Sequence, residues 1–309
     1  MDYRAAMGIE RLAASECFGE GVRIAVLDSG VPQRSQSADE GCLPSEPHLD
    51  DPDTYGHATA ISSILSGGWG ITGICPNACV MYYSVLDGSG NGSVESVVDG
   101  IWRAIDDEVD IINLSIGFAR TDTCPRALAR ACDAAYDAGI AMICAAGNDG
   151  GAVNWPAALD TTISVGSSDK NGLKTSFSST GEVDFVAPGM DLGVSTIEGR
   201  IKNVCGTSFS TAIVTGVAAL LVHGMMDPFG NFGGMEAVKD ALRGIAQDVD
   251  APGWDRMTGY GLISGKNSDT TVCMEIKRGF FGRIIAKLQG FFGFGGSTDN
   301  KEKINGSIV

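Results

Sequence analysis

The sequence predicts an α/β protein of three layers, a mostly parallel sheet with helices on both faces. Three observations lead there. Between residue 22 and about 250, short apolar runs alternate with stretches of helical period. Several runs are continuous Val/Ile/Leu/Ala text rather than alternating, as parallel strands covered on both faces require. The chain has 309 residues, enough for one large α/β domain. Right-handed crossovers then place the functional crevice at the carboxyl ends of the strands.

Strands are expected over 22–27, 79–86, 109–114, 140–146, 161–166 and 183–187. Ser93 can cap a helix whose apolar residues fall at Val94, Val97, Val98, Ile101, Trp102 and Ile105, a 3.6-residue period. Pro125 near the start and Gly139 past the end bracket the next helix. Residues 208–222 are almost wholly apolar and read as a central helix, and 235–246 as an amphipathic one. The stretch 31–53 is rich in Ser, Asp, Glu and Pro and reads as a long surface loop. The domain division expected is 1–265 for the catalytic body and 266–309 for an appendage.

Composition is that of an ordinary globular protein, 44% apolar and 19% charged. Lys and Arg number 22 against 38 Asp and Glu, a net charge of −16, which argues against nucleic-acid binding. No G-x-x-x-x-G-K-[ST] loop or convincing G-x-G-x-x-G supports a nucleotide site. No secretory signal opens the chain, and no run approaches the ~18 apolar residues of a membrane span. The nine cysteines are expected to be reduced and mostly buried in a cytoplasmic protein. Cys75 and Cys79 have C-x3-C spacing but no second pair to complete a zinc site.

Residues 266–309 carry seven Lys/Arg and four Asp/Glu, a basic tail on an acidic body. Over 276–294, apolar residues fall at 276, 280, 281, 284, 285, 288, 291 and 292, one helical stripe with basic residues largely off it. Two readings stay open for this amphipathic helix: an anionic membrane surface, or docking onto the body or a protein partner. The end, 297–309, reads as disordered.

Four residues fall at one edge of the expected sheet. Asp28 ends the first apolar strand, where a carboxylate is costly unless hydrogen-bonded; it can cap a turn or hold an imidazole. His57 stands in Gly56-His57-Ala58-Thr59 at the start of a buried helix, placed to move protons. His48 lies in the polar loop and His223 ends an apolar helix, so both read as solvated or structural. Asn148 follows another buried strand, where its amide can donate to an oxyanion. Ser208 opens the apolar helix, as a simple N-cap or as a nucleophile near free N–H groups.

In that order, the segments 26–30, 56–59, 113–117, 145–149 and 206–215 resemble the signature blocks of the subtilisin-like serine proteases, over about residues 7–264. The resemblance implies that Ser208 attacks the scissile carbonyl, His57 relays its proton and Asp28 orients His57. It implies Asn148 and the Ser208 N–H as the oxyanion hole. It also implies Ser115, Ile116 and Gly117 as the strand that pairs with substrate, and Ala145, Ala146 and Gly147 as one wall of the pocket for the residue before the scissile bond. Asp149 and Asn154 can favour a polar or basic substrate side chain, or Asp149 can be a solvated loop residue.

Departures from the family are Ala58, Ala60, Phe209 and Ala212, none of which transfers a proton. The resemblance places a tight calcium ion in the loop 66–72, which here has no Asn or Asp; no metal is assigned and no cofactor is expected to be required, with calcium at other positions left open. Only 27 residues precede Asp28, which resembles the intracellular branch of the family. The expected function is a cytoplasmic serine endopeptidase acting on protein or peptide substrates; the rival is a peptide-binding pseudoprotease that does not cleave.

Overall fold

The computed structural model describes residues 8–9, 18–32 and 51–265. In chain order the elements are β1 (Arg23–Asp28), α1 (His57–Leu65), β2 (Gly67–Gly68), β3 (Ile71–Thr72), β4 (Cys79–Ser84), α2 (Val94–Asp106) and β5 (Ile111–Leu114). They continue with α3 (Arg126–Asp137), β6 (Ala141–Ala145), β7 (Ile163–Ser168), β8 (Phe185–Pro188), β9 (Leu192–Ser195) and β10 (Ile201–Val204). The last are α4 (Thr207–Met225), α5 (Gly234–Ile245), β11 (Ala246–Gln247) and β12 (Leu262–Ile263).

Eight strands form one sheet in the order β11-β12-β8-β7-β6-β5-β1-β4. All neighbours are parallel except β11 and β12. The strands are buried on both faces, yet side chains still alternate between two cores. Ile24 and Val26 of β1 join a core with Ile61 and Leu65 of α1, Val217 of α4 and Leu242 of α5. Ala25 and Leu27, one residue out of phase, join the opposite core with Ile101 of α2 and Leu128 of α3. That two-sided burial is worth ~1.5–3 kcal/mol for each large aliphatic side chain, and the parallel pairing brings the carboxyl ends of β1, β5 and β6 to one edge.

The helices follow their sequence signals. Ser93 accepts from Ser96 N at 3.0 Å, and Ser96 Oγ accepts from Ser93 N at 3.1 Å, a reciprocal cap on α2. Gly139, with φ of 80°, leaves α3 in the left-handed region that glycine tolerates. The central helix α4 begins at Thr207 with Gly206 as N-cap, one residue before the expected start, so Ser208 is not a capping residue.

Three further expectations change. α4 is long and apolar enough to cross a bilayer, against the expectation that no run would be, but 94% of its apolar window is buried inside the protein. Cys79 is disulfide-bonded, so the expectation of uniformly reduced thiols fails there. It opens the edge strand β4, whereas Cys132 and Cys144 are free and sealed in the core, where burial pushes their thiols up. The hairpin of β9 and β10 was not anticipated. Residues 266–309, including the proposed helix 276–294, and most of the loop 31–53 with His48 lie outside the described residues.

Candidate active site

Asp28 is the last residue of β1, fully buried at the carboxyl edge. His57 opens α1, behind Gly56 in the left-handed region (φ 91°) as the N-cap. The two meet closely: His57 Nδ1 lies 2.8 Å from Asp28 Oδ2 and 2.9 Å from Oδ1. The Ser29 N–H donates to Asp28 Oδ1 at 2.7 Å. A carboxylate with these partners holds the ring with Nδ1 as donor, leaving Nε2 to accept.

Burial is the largest influence on His57 and disfavours its charged form. The Asp28 carboxylate and its hydrogen bond, with smaller help from Asp53, outweigh that and hold the imidazole above its ordinary value of 6.5. Lys202 of β10 opposes them weakly.

Ser208 sits in the first turn of α4, where backbone N–H groups lack intrahelical acceptors. The next residue, Phe209, places its ring 5.7 Å from the His57 ring, which locates this helix start beside the imidazole. The Ser208 hydroxyl donates to the Ser115 carbonyl at 2.7 Å, and Ser115 Oγ returns a bond to the Ser208 carbonyl at 2.9 Å. The nucleophile candidate is therefore turned toward Ser115. Rotation about its Cα–Cβ bond is what swings the hydroxyl away from that carbonyl.

Asn148 follows the end of β6. Its Oδ1 accepts from the Thr207 N–H at 2.8 Å and from Thr207 Oγ1 at 3.0 Å. With the oxygen so engaged, the amide nitrogen is the end left for an oxyanion. Thr207, not anticipated from the sequence, is the residue that fixes this orientation.

An open pocket of about 300 Å³ adjoins Ser208. Ser115, Ile116 and Gly117 line one side, Ala145, Gly147 and Asn148 the other, with Asp149, Asn154 and Thr207 completing it. Ala146 does not line it. Its side chain is fully buried in the core below, its N–H bonds to the Val165 carbonyl and its carbonyl accepts from Asn154 N. Asp149 is exposed, and its Oδ1 accepts from the Gly151 N–H and Ser179 Oγ, which hold its carboxyl below the usual range. Among the other histidines, His223 Nδ1 bonds to the Glu20 carbonyl at 2.9 Å, a structural tie.

The loop after α1 is the β2–β3 hairpin, with Trp69 and Gly70 at its tip. With Ser66 before it, this stretch carries backbone carbonyls and the Ser66 and Thr72 hydroxyls but no carboxylate or amide side chain.

Residues 19–261 match the Subtilase family over most of the chain. The chain belongs to the subtilase family. Among its relatives, a thermostable alkaline protease of Halalkalibacterium halodurans is 36% identical over 210 residues, 66% of this subtilase and 57% of the relative. The minor extracellular protease Epr of Bacillus subtilis is 31% identical over 259 residues, 82% of this chain and 39% of that protein. This subtilase spans about half the length of the curated relatives it matches. A crystal structure of a lanthipeptide protease superposes with a TM-score of 0.75 at 22% identity, covering 89% of this chain and 93% of that one, a likeness of fold.

Proposed function

We propose that this subtilase is a serine endopeptidase that cleaves protein or peptide substrates with Asp28, His57 and Ser208. The observation that carries the reading is the pairing of Asp28 with His57 Nδ1 at 2.8 Å, on the sheet edge where α4 presents Ser208. In the reaction, Ser208 Oγ leaves the Ser115 carbonyl and attacks the scissile carbonyl carbon while His57 Nε2 takes its proton. The carbonyl oxygen becomes an oxyanion, met by the Asn148 amide N–H and the Ser208 N–H. His57, charged and held by Asp28, returns the proton to the leaving amine. Water repeats the sequence on the acyl-serine and frees the hydroxyl.

The experiment is a peptide-library cleavage profile of the wild type beside Ser208→Ala. Discrete cleavages by the wild type that vanish in the variant support the proposal. A second reading, a binding protein that retains peptides without cutting them, draws on the Ser208–Ser115 hydrogen bond, which occupies the hydroxyl. Equal absence of cleavage in both proteins, with peptide still bound, selects that reading.

For the tail, the apolar stripe and basic residues of 276–294 support contact with an anionic membrane surface or a protein partner. Cosedimentation of wild type and a 275–309 deletion with anionic vesicles separates the two. The disulfide at Cys79 favours an oxidising compartment over the cytoplasm. Thiol trapping of the protein in cells tests this: Cys79 that labels without prior reduction restores the cytoplasmic reading.

A further inference from the structure

One buried carboxylate beside the site has no part in the proton relay. Asp53 is 1% exposed and precedes α1 by a short turn. Its Oδ1 accepts from Ser29 Oγ at 2.9 Å and from the Gly56 N–H at 2.7 Å. Its Oδ2 accepts from the Thr59 N–H at 2.8 Å and Thr59 Oγ1 at 2.6 Å. Four donors surround it, and no Lys or Arg pairs with it among the described residues. Each carboxyl oxygen thus accepts two of these bonds.

The simplest account is a helix cap, because Gly56 and Thr59 both lie at the N-terminus of α1. A cap needs only the N–H groups, and the bond to Ser29 does something else. Ser29 follows Asp28 in the chain. Its N–H binds the Asp28 carboxylate, and its Oγ accepts from the Ala58 N–H at 3.0 Å, next to His57. One carboxylate thus ties the strand end that carries the acid to both sides of the histidine, at Gly56 and, through Ser29, at Ala58.

We propose that Asp53 is a positioning residue for the reaction, which holds the turn around His57 in register with Asp28 and adds a second negative charge behind the imidazole. It acts through Ser29, Gly56 and Thr59 and touches no substrate. The inference rests on the assignment of His57 as the proton carrier. The charged or titratable groups acting on that ring are Asp28 from β1, Asp53 from the turn before α1 and Lys202 from β10, with the Tyr55 ring 6.5 Å away.

Two variants of the full chain test it, by NMR titration of the His57 ring and by steady-state kinetics. The titration requires no turnover, so it stands even if proteolysis is disproved. Asp53→Asn removes the charge and keeps the size. The proposal expects the His57 midpoint to fall by roughly half a pH unit or more, because an anion that favours the imidazolium is gone. A midpoint within about 0.2 unit of the wild type would overturn the proposal, leaving Asp53 as a helix cap alone. Ser29→Ala keeps the charge and cuts the link between the two segments. It is expected to lower kcat about five- to tenfold through the loss of the hydroxyl's bonds to Asp53 and to the Ala58 N–H, with KM within twofold. Unchanged kcat in Ser29→Ala overturns the positioning role, and this arm decides alone if Asp53→Asn does not fold.

Discussion

Asn148 Oδ1 and the Thr207 N–H lie 2.8 Å apart, with Thr207 Oγ1 on the same oxygen at 3.0 Å, so Thr207 determines which end of the Asn148 amide faces the crevice. The orientation is set by the residue just before Ser208, which ties the Asn148 amide, beyond the end of β6, to the helix start that carries the proposed attacking hydroxyl. Asn148→Ala should lower kcat by about 10²–10³, the loss known for such donors in this family, with KM nearly unchanged. A fall in binding without a fall in kcat would mean that Asn148 only lines the pocket.

Thr207→Val removes one of the two bonds to Asn148 and leaves the backbone one. A loss of several-fold in kcat is expected, about 1 kcal/mol, well short of the Asn148 effect. Steady-state kinetics of the two single variants and the double variant check it, since a shared mechanism makes the losses non-additive.

The pH dependence follows from the direction of the His57 shift. His57 must be neutral to take the Ser208 proton, and Asp28 holds its imidazole above 6.5. The acid limb of kcat/KM should therefore have its midpoint above 6.5. Stability runs the other way. A raised folded-state value means that the His57–Asp28 ion pair contributes fully below 6.5 and is lost as pH rises through the folded value.

Asp110, at the entry to β5, is pushed up to about 6 by burial, although the Arg23 N–H donates to it at 2.7 Å and the Arg23 charge opposes the shift. The folded state then holds this proton more tightly than the unfolded chain, so stability should fall as pH rises from about 3.8 to about 6. Asp110→Asn keeps an acceptor for Arg23 and removes the ionisation. It should raise the Tm at pH 7 relative to wild type, and the gap should close below pH 4. An equal gap at both pH values would refute the assignment.

Gly216 tests the packing of α4. A Cβ there would lie 2.8 Å from Ile74 Cβ and 2.9 Å from its Cγ2. Gly216→Ala improves helix propensity by about 1 kcal/mol, while crowding in a filled core costs about 1–3 kcal/mol, so a net loss of stability is expected in denaturant titration.

Much of the fold and the Asp–His pair was legible in the sequence because burial wrote them there. Asp28 stood out as a carboxylate ending a buried strand, and Val94 to Ile105 announced α2 by their period. The β9–β10 hairpin escaped because the sequence of β10, Ile-Lys-Asn-Val, is mostly exposed and carries no one-sided pattern. Ala146 follows the end of β6, and the sequence does not reveal that its side chain turns into the core. Asp53 and Thr207 act through partners distant in sequence, at Ser29 and Asn148, and only the folded chain brings these together. The disulfide at Cys79 was hidden for a related reason, since spacing alone selects no partner.

A fluorophosphonate probe with site mapping by mass spectrometry tests the central claim most directly, because it reports an activated serine without any choice of substrate. Covalent modification of the wild type at Ser208, abolished in Ser208→Ala and strongly slowed in His57→Ala, is the predicted result. A wild type that remains unmodified, indistinguishable from Ser208→Ala, would contradict the account.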